Sequence, residues 1–199
     1  LGLDVKLSSL AQGTSCIPVP ISARLDLFKA PVLPEVAEEI SEAVARLANG
    51  IRDNYDIVIA DTGQFWSGLT GELLCNSSLV LIVMDQRRAS AYGAIKALEL
   101  CQRLGIPMAR IAFVLNRASG MAHSEIERIE DSLGCEELFH LADGKTTIEA
   151  LVGMGRIEEL VEEGPAPIPD IELLLTKLLP RIGIEFPAIE RKKTRRFFT

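Results

Sequence analysis

The chain has 199 residues, a net charge of −7, 48% apolar and 25% charged residues, a balance that suits one globular domain and excludes a disordered or fibrous chain. Its longest aliphatic run, Leu79 to Met84, falls far short of the roughly 20 residues that cross a bilayer. The last ten residues hold five basic and one acidic side chain, so the total of −7 divides into a body at −11 and a tail at +4, and an acidic body disfavours nucleic acid as its partner.

Taken in chain order, Pro34 to Asp53 is predicted as a helix, with a proline in its first turn and Val36, Ile40, Val44, Leu47 and Ile51 at three- to four-residue steps. Tyr55 to Ala60 and Leu79 to Met84 are apolar runs closed by Asp61 and Asp85, and both are predicted as strands buried on two faces. Arg88 to Leu104 is predicted as a helix with Ala91, Ile95, Leu98 and Cys101 on one stripe and Gly105 as its stop. Arg110 to Leu115 is predicted as a third strand, ending at Asn116 and Arg117. Ser124 and Glu127 read as a capping box for a helix that runs to Leu133, and Glu137 to Leu141 as a last short strand. Three helices then follow, Thr147 to Val152, Ile157 to Glu162 and Pro169 to about Leu179. In the last of these, Ile171, Leu174, Leu175, Leu178, Leu179 and Ile182 form one apolar stripe, which suits either packing on the sheet or a partner or membrane surface. The alternation predicts an α/β fold, a mostly parallel sheet with helices on both faces, with residues 1–189 as one domain and 190–199 as a basic tail.

Cys16, Cys75, Cys101 and Cys135 are scattered without a CxxC pair, which predicts reduced, mostly buried thiols in a cytoplasmic protein. His123 and His140 stand 17 apart with no cysteine at ligand spacing, so they read as ordinary histidines rather than metal ligands.

Ligands of open α/β sheets bind at the carboxyl ends of the strands, which directs attention to Asp61, Asp85 and Asn116. The run Tyr55 to Gly63, YDIVIADTG, has the form of a Walker B strand whose terminal acid helps hold magnesium, with Gly63 free to turn towards a phosphate. A strand-closing aspartate also serves ordinary turn chemistry. Asn116 offers a donor and an acceptor that together read a base edge, or cap a turn.

The succession of helix, YDIVIADTG, SSLVLIVMDQRRAS, helix, GIPMARIAFVLNRASG and EIERIEDSLG resembles the ParA/MinD superfamily of deviant P-loop ATPases, and is most similar to its CpaE/TadZ branch of pilus-assembly and septum-site proteins. The opening GLDVKLSSLAQG is similar to the motif around that family's second strand. The resemblance spans roughly residues 1 to 165. It implies Asp61 as the Walker B acid acting on magnesium through water, Gly63 in the switch II turn, Asn116 and Arg117 at the adenine, and Asp4 as the group that orients the attacking water. It also implies ATP and Mg as cofactors and a homodimer that recruits a pilus or division protein, with a cytoplasmic location or one peripheral to the inner membrane or cell pole.

Two departures stand out. Gly2 replaces the first aspartate of the opening motif, and the KGGxGKT loop is nowhere in the sequence, so phosphate chemistry needs a cradle these residues do not supply. Gly144-Lys145-Thr146 ends like such a loop, but the required first glycine would fall on Phe139, and the triplet reads as a turn into a helix. Gly153-Met154-Gly155 begins like a dinucleotide fingerprint, yet Glu158 stands at its third glycine. The chain starts at Leu1 without a methionine. Truncation, with the first strand and P-loop lying upstream, is therefore the expectation over a decayed site. Ser119 occupies the place of the aspartate in a guanine-reading NKxD, which favours adenine. In the tail, Arg191, Lys192, Lys193, Arg195 and Arg196 precede Phe197 and Phe198, a composition suited to anionic lipid, a nucleic-acid backbone or another partner, or to a solvated end. Three functions remain open: an ATP-dependent positioning switch, a scaffold on the same fold without turnover, and an amide-forming synthetase of the same superfamily, for which no substrate pocket is evident.

Overall fold

The computed structural model describes residues 18–28, 51, 54–64, 66–121 and 123–186. They fall into two compact units, Leu1–Ser77 and Ser78–Thr199, each described by itself.

In the first unit, β1 (Val19–Ser22) and β2 (Leu25–Leu27) form an antiparallel hairpin with a register irregularity between Pro20 and Ser22. Tyr55 donates its phenolic hydrogen to Asp26 Oδ2 at 2.6 Å, and its ring meets Phe28 edge-on with centroids 5.8 Å apart. The hydrogen bond to the Asp26 carboxylate raises the Tyr55 phenol above its ordinary value, with burial and the negative charge acting the same way. Tyr55–Ala60 is not a strand, and Ile57, Val58 and Ile59 are exposed, Ile59 to 89%. An apolar run becomes a strand only when a neighbour accepts its N–H and C=O groups, and none of the described residues pairs with it. Helix α1 (Gly68–Asn76) escapes the periodicity reading because its apolar residues are not segregated to one face. It starts at Ser67, whose hydroxyl accepts the Thr70 N–H at 3.2 Å.

The second unit is built on a three-stranded parallel sheet in the order β3 (Val80–Met84), β4 (Ile111–Ala118), β5 (Leu138–Ala142). Between strands run α2 (Arg88–Arg103) and α3 (His123–Leu133), and after β5 come α4 (Lys145–Gly153), α5 (Ile157–Glu163) and α6 (Ile168–Leu178). These bounds agree closely with the predicted elements. Helix α3 begins at His123, so Ser124 stands in its first turn rather than at its cap. On α2 the buried residues are Ala94, Ala97, Leu98 and Cys101, with Ala91 and Ile95 half-buried at the margin. The predicted helix Pro34 to Asp53 lies outside the described residues except for Ile51, which is helical and buried.

The core sits on β4, where Ile111 to Leu115 are all buried. Leu174 and Leu178 of α6 pack on Ala112, Val114 and Phe139, so the C-terminal apolar stripe belongs to the sheet. Strand β3 departs from the expected two-face burial: Val80, Ile82 and Met84 are buried, whereas Leu81 and Val83 are exposed. Their register partners are Ala112 and Val114, so they share the α6 face, and α6 covers β4 and β5 but stops short of β3. Of the thiols, Cys101 is buried, Cys135 half-buried and Cys75 exposed, while Cys16 lies outside the described residues. Burial, with Glu130 nearby, raises the Cys135 thiol above its ordinary value. Phe113 is 1% exposed at the centre of the sheet, and Phe113→Ala should therefore cost about 3–5 kcal/mol, read from the denaturant midpoint of the second unit.

Candidate functional site

The carboxyl edge of the β3-β4-β5 sheet is assembled by its strand pairing. Opposite β4, the register passes from Leu115↔His140 to Ala118↔Ala142, so Asn116 and Arg117 together face the single residue Leu141. This is a β-bulge, and Arg117 takes a left-handed φ of 56° within it, a conformation that costs a non-glycine residue energy and gathers at functional sites. The sequence places Asn116 and Arg117 just past a strand that ends at Leu115. The structure instead carries them inside β4, because the bulge lets the ladder resume at Ala118. Asn116 Oδ1 accepts the Arg117 N–H at 3.0 Å, which orients its carboxamide.

Neighbouring loops brace this bulge. Gln86, after β3, donates from Nε2 to the Ser119 carbonyl at 2.7 Å and so joins two strand ends. Sequence reasoning missed Gln86, whose only signal is its place directly after a strand-closing aspartate. Asp85 accepts the Arg87 N–H at 3.0 Å and its Nε–H at 2.7 Å, while the Asp85 N–H donates to Ser90 Oγ at 3.0 Å. The Arg87 side chain holds the Asp85 carboxyl below its ordinary value. After β5, the Ala142 N–H donates to Asp170 Oδ2 at 2.8 Å, tying the strand end to the first turn of α6. Asp143 Oδ1 accepts the Lys145 N–H at 3.1 Å, and Lys145 has φ 49°. The triplet Gly144-Lys145-Thr146 is thus a turn into α4. A methyl group on Gly144 would meet the Ile148 side chain and stand 2.6 Å from the Ala166 carbonyl oxygen, so close packing accounts for this glycine.

In the first unit, Gly63 has φ 65° and donates its N–H to Asp61 Oδ1 at 3.2 Å, a tight turn on the exposed end of the Tyr55 run. Asp61 and Gly63 therefore lie in one unit, and Asn116 and Arg117 in the other. Asp4, together with Gly2 and the tail residues Arg191, Lys192, Lys193, Arg195 and Arg196, lies outside the described residues.

At the bulge the Asn116 carboxamide offers both a donor and an acceptor. No glycine-rich loop among the described residues aims backbone N–H groups at a nucleotide's phosphates. Asp61 is a single carboxylate, and no three His, Cys, Asp or Glu side chains cluster among the described residues. Magnesium in nucleotide sites takes one or two carboxylates and draws its other ligands from phosphate and water.

Two outcomes are expected from this geometry. Gly144→Ala should destabilise the second unit by about 1–3 kcal/mol in chemical denaturation, and an unchanged midpoint would show that the Ala166 carbonyl can retreat. Because the folded Asp85 value lies below the ordinary 3.8, its pairing stabilises the fold above that pH and is lost as pH falls through the folded value. The pair is solvent-screened, so Asp85→Asn should be slightly less stable than the parent at pH 7, with the difference closing below pH 4.

No protein-family model matches the chain, and no curated protein does. Among solved structures, the crystal structure of a ParA family ATPase from Chlorobium tepidum TLS superposes with a TM-score of 0.64 at 23% identity. The match covers 79% of this chain, which spans 65% of the length of that one. At that identity the likeness is one of fold: the chain has the α/β fold of a ParA-like P-loop NTPase.

Proposed function

We propose that this protein is an ATP-binding spatial-positioning switch of the ParA/MinD type, acting in pilus assembly or division-site placement, with nucleotide favouring a homodimer. The observation that carries this reading is the Asn116-Arg117 bulge at the carboxyl edge of a parallel sheet with a ParA-like fold. In this proposal residues 1–189 act as one domain, and Asn116, with Arg117 more loosely, would contact the adenine. Asp61 holds magnesium through water, Gly63 turns the switch II segment, and Asp4 orients the attacking water. The CpaE/TadZ branch supplies the choice of process, through the sequence resemblance.

A second reading is a scaffold that keeps the fold without turnover. Gly2 at the place of a family aspartate and the lack of a KGGxGKT loop in these 199 residues favour it.

Calorimetric titration of the full-length gene product with magnesium-ATP separates the two. The switch predicts saturable, magnesium-dependent binding that Asn116→Ala weakens about tenfold, equivalent to about 1.4 kcal/mol, and that Asp61→Ala makes less dependent on magnesium. No binding at millimolar ATP would leave the scaffold.

A further inference from the structure

The α4–α5 pair exposes an apolar surface that the proposed switch does not use. Val152, Met154, Ile157 and Val161 are each between 42% and 67% exposed, four large apolar side chains within ten residues. Helix α5 faces the core through Leu160 alone, so Ile157 and Val161, one turn apart on the same side, are left to solvent. Carboxylates rim them: Glu149, Glu158, Glu162 and Glu163 are exposed, and the one nearby cation, Arg156, is paired with Glu159. The stretch from Glu149 to Glu163 therefore carries a charge of −4, from five glutamates and one arginine. Helix α3 and the turn after it, residues 123–137, are comparably acidic but contain no large exposed apolar side chain. Among the described residues, acidity and exposed apolar surface of this density coincide on α4–α5.

The chemistry that complements such a surface is a short cationic segment with apolar ends, because interfaces select arginine and aromatic residues together. One such segment belongs to this chain: residues 190–199 carry +4 and include Phe197 and Phe198. Phe197 lies eleven residue steps beyond Phe186, the last described, a span of about 36–40 Å when extended. A globular unit of about 120 residues has a radius of gyration near 14 Å, so the extended tail spans more than half of the surface path to its far side. Tethering supplies an effective concentration of about a millimolar, and a contact too weak to hold between separate molecules suffices.

We propose that the acidic, apolar face of α4–α5 is the docking site of the chain's own basic tail, Arg191–Phe198. The cations face Glu158, Glu162 and Glu163, and the two phenylalanines cover Ile157 and Val161. Docking there withholds the tail's charge from any anionic surface until a stronger competitor takes it.

Zero-length carbodiimide cross-linking of the full chain, followed by peptide mass spectrometry, tests this. At low salt and low protein concentration, Lys192 or Lys193 should link to Glu158, Glu162 or Glu163, and Phe197→Ser with Phe198→Ser should reduce those links at least fivefold. The Lys177–Glu137 link, expected from the ion pair within the second unit, should persist in every sample and reports that the fold is intact. Tail links spread equally over Glu125, Glu130 and α5 would reduce the effect to unspecific attraction and overturn the proposal. So would links found only between isotopically labelled and unlabelled chains, which would make a second copy the donor. Tail lysines that form no links while the chain binds anionic vesicles or nucleic acid would likewise overturn it.

Discussion

Everything in the second unit depends on the burial of β4. From Ile111 to Leu115 no residue is more than 4% exposed, so water cannot satisfy the backbone of that segment. Its N–H and C=O groups must be taken by strands on both sides, and β3 and β5 take them in parallel register. Parallel pairing aligns the carboxyl ends of all three strands along one edge of the sheet, where open α/β folds bind ligands.

At that edge the ladder is broken once. Two residues of β4 face one of β5 at Asn116 and Arg117, and the left-handed backbone of Arg117 turns the chain there. The ties around the bulge, Gln86 to Ser119, Asp85 to Ser90 and Ala142 to Asp170, connect the end of each strand to another loop or helix. Strain of this kind persists only when its surroundings over-determine it, and these hydrogen bonds provide that support. The Asn116 carboxamide is held on the same bulge, its oxygen accepting the Arg117 N–H.

The surfaces left uncovered follow from how far each helix extends. Helix α6 covers β4 and β5 through Leu174 and Leu178, then gives way to a 3-10 turn over Leu179–Ile182, so Leu81 and Val83 of β3 stay exposed. Helix α5 is seven residues long, too short to bury more than one turn of its apolar positions. The exposed Glu149, Glu158, Glu162 and Glu163 flank the apolar side chains of α4 and α5, and like charge of this kind opposes indiscriminate association.

The sequence by itself determined the local elements of the second unit: helical and strand periodicities, the stop at Gly105 and the polar residues that close each apolar run placed β3 to α6 to within a few residues. These signals are carried by neighbours along the chain. It could not determine what each apolar run would meet. Tyr55 to Ala60 has the composition of a strand as clearly as Leu79 to Met84 does, yet only the second has a pairing partner among the described residues, and pairing is a long-range property. The bulge at Asn116 was hidden for the same reason, since a one-residue excess exists only relative to β5. The strand-closing residues were therefore readable as candidates. Which of them stand together, and which face of β3 or α5 remains open, was decided only when the chain packed, because burial and register depend on partners distant in sequence.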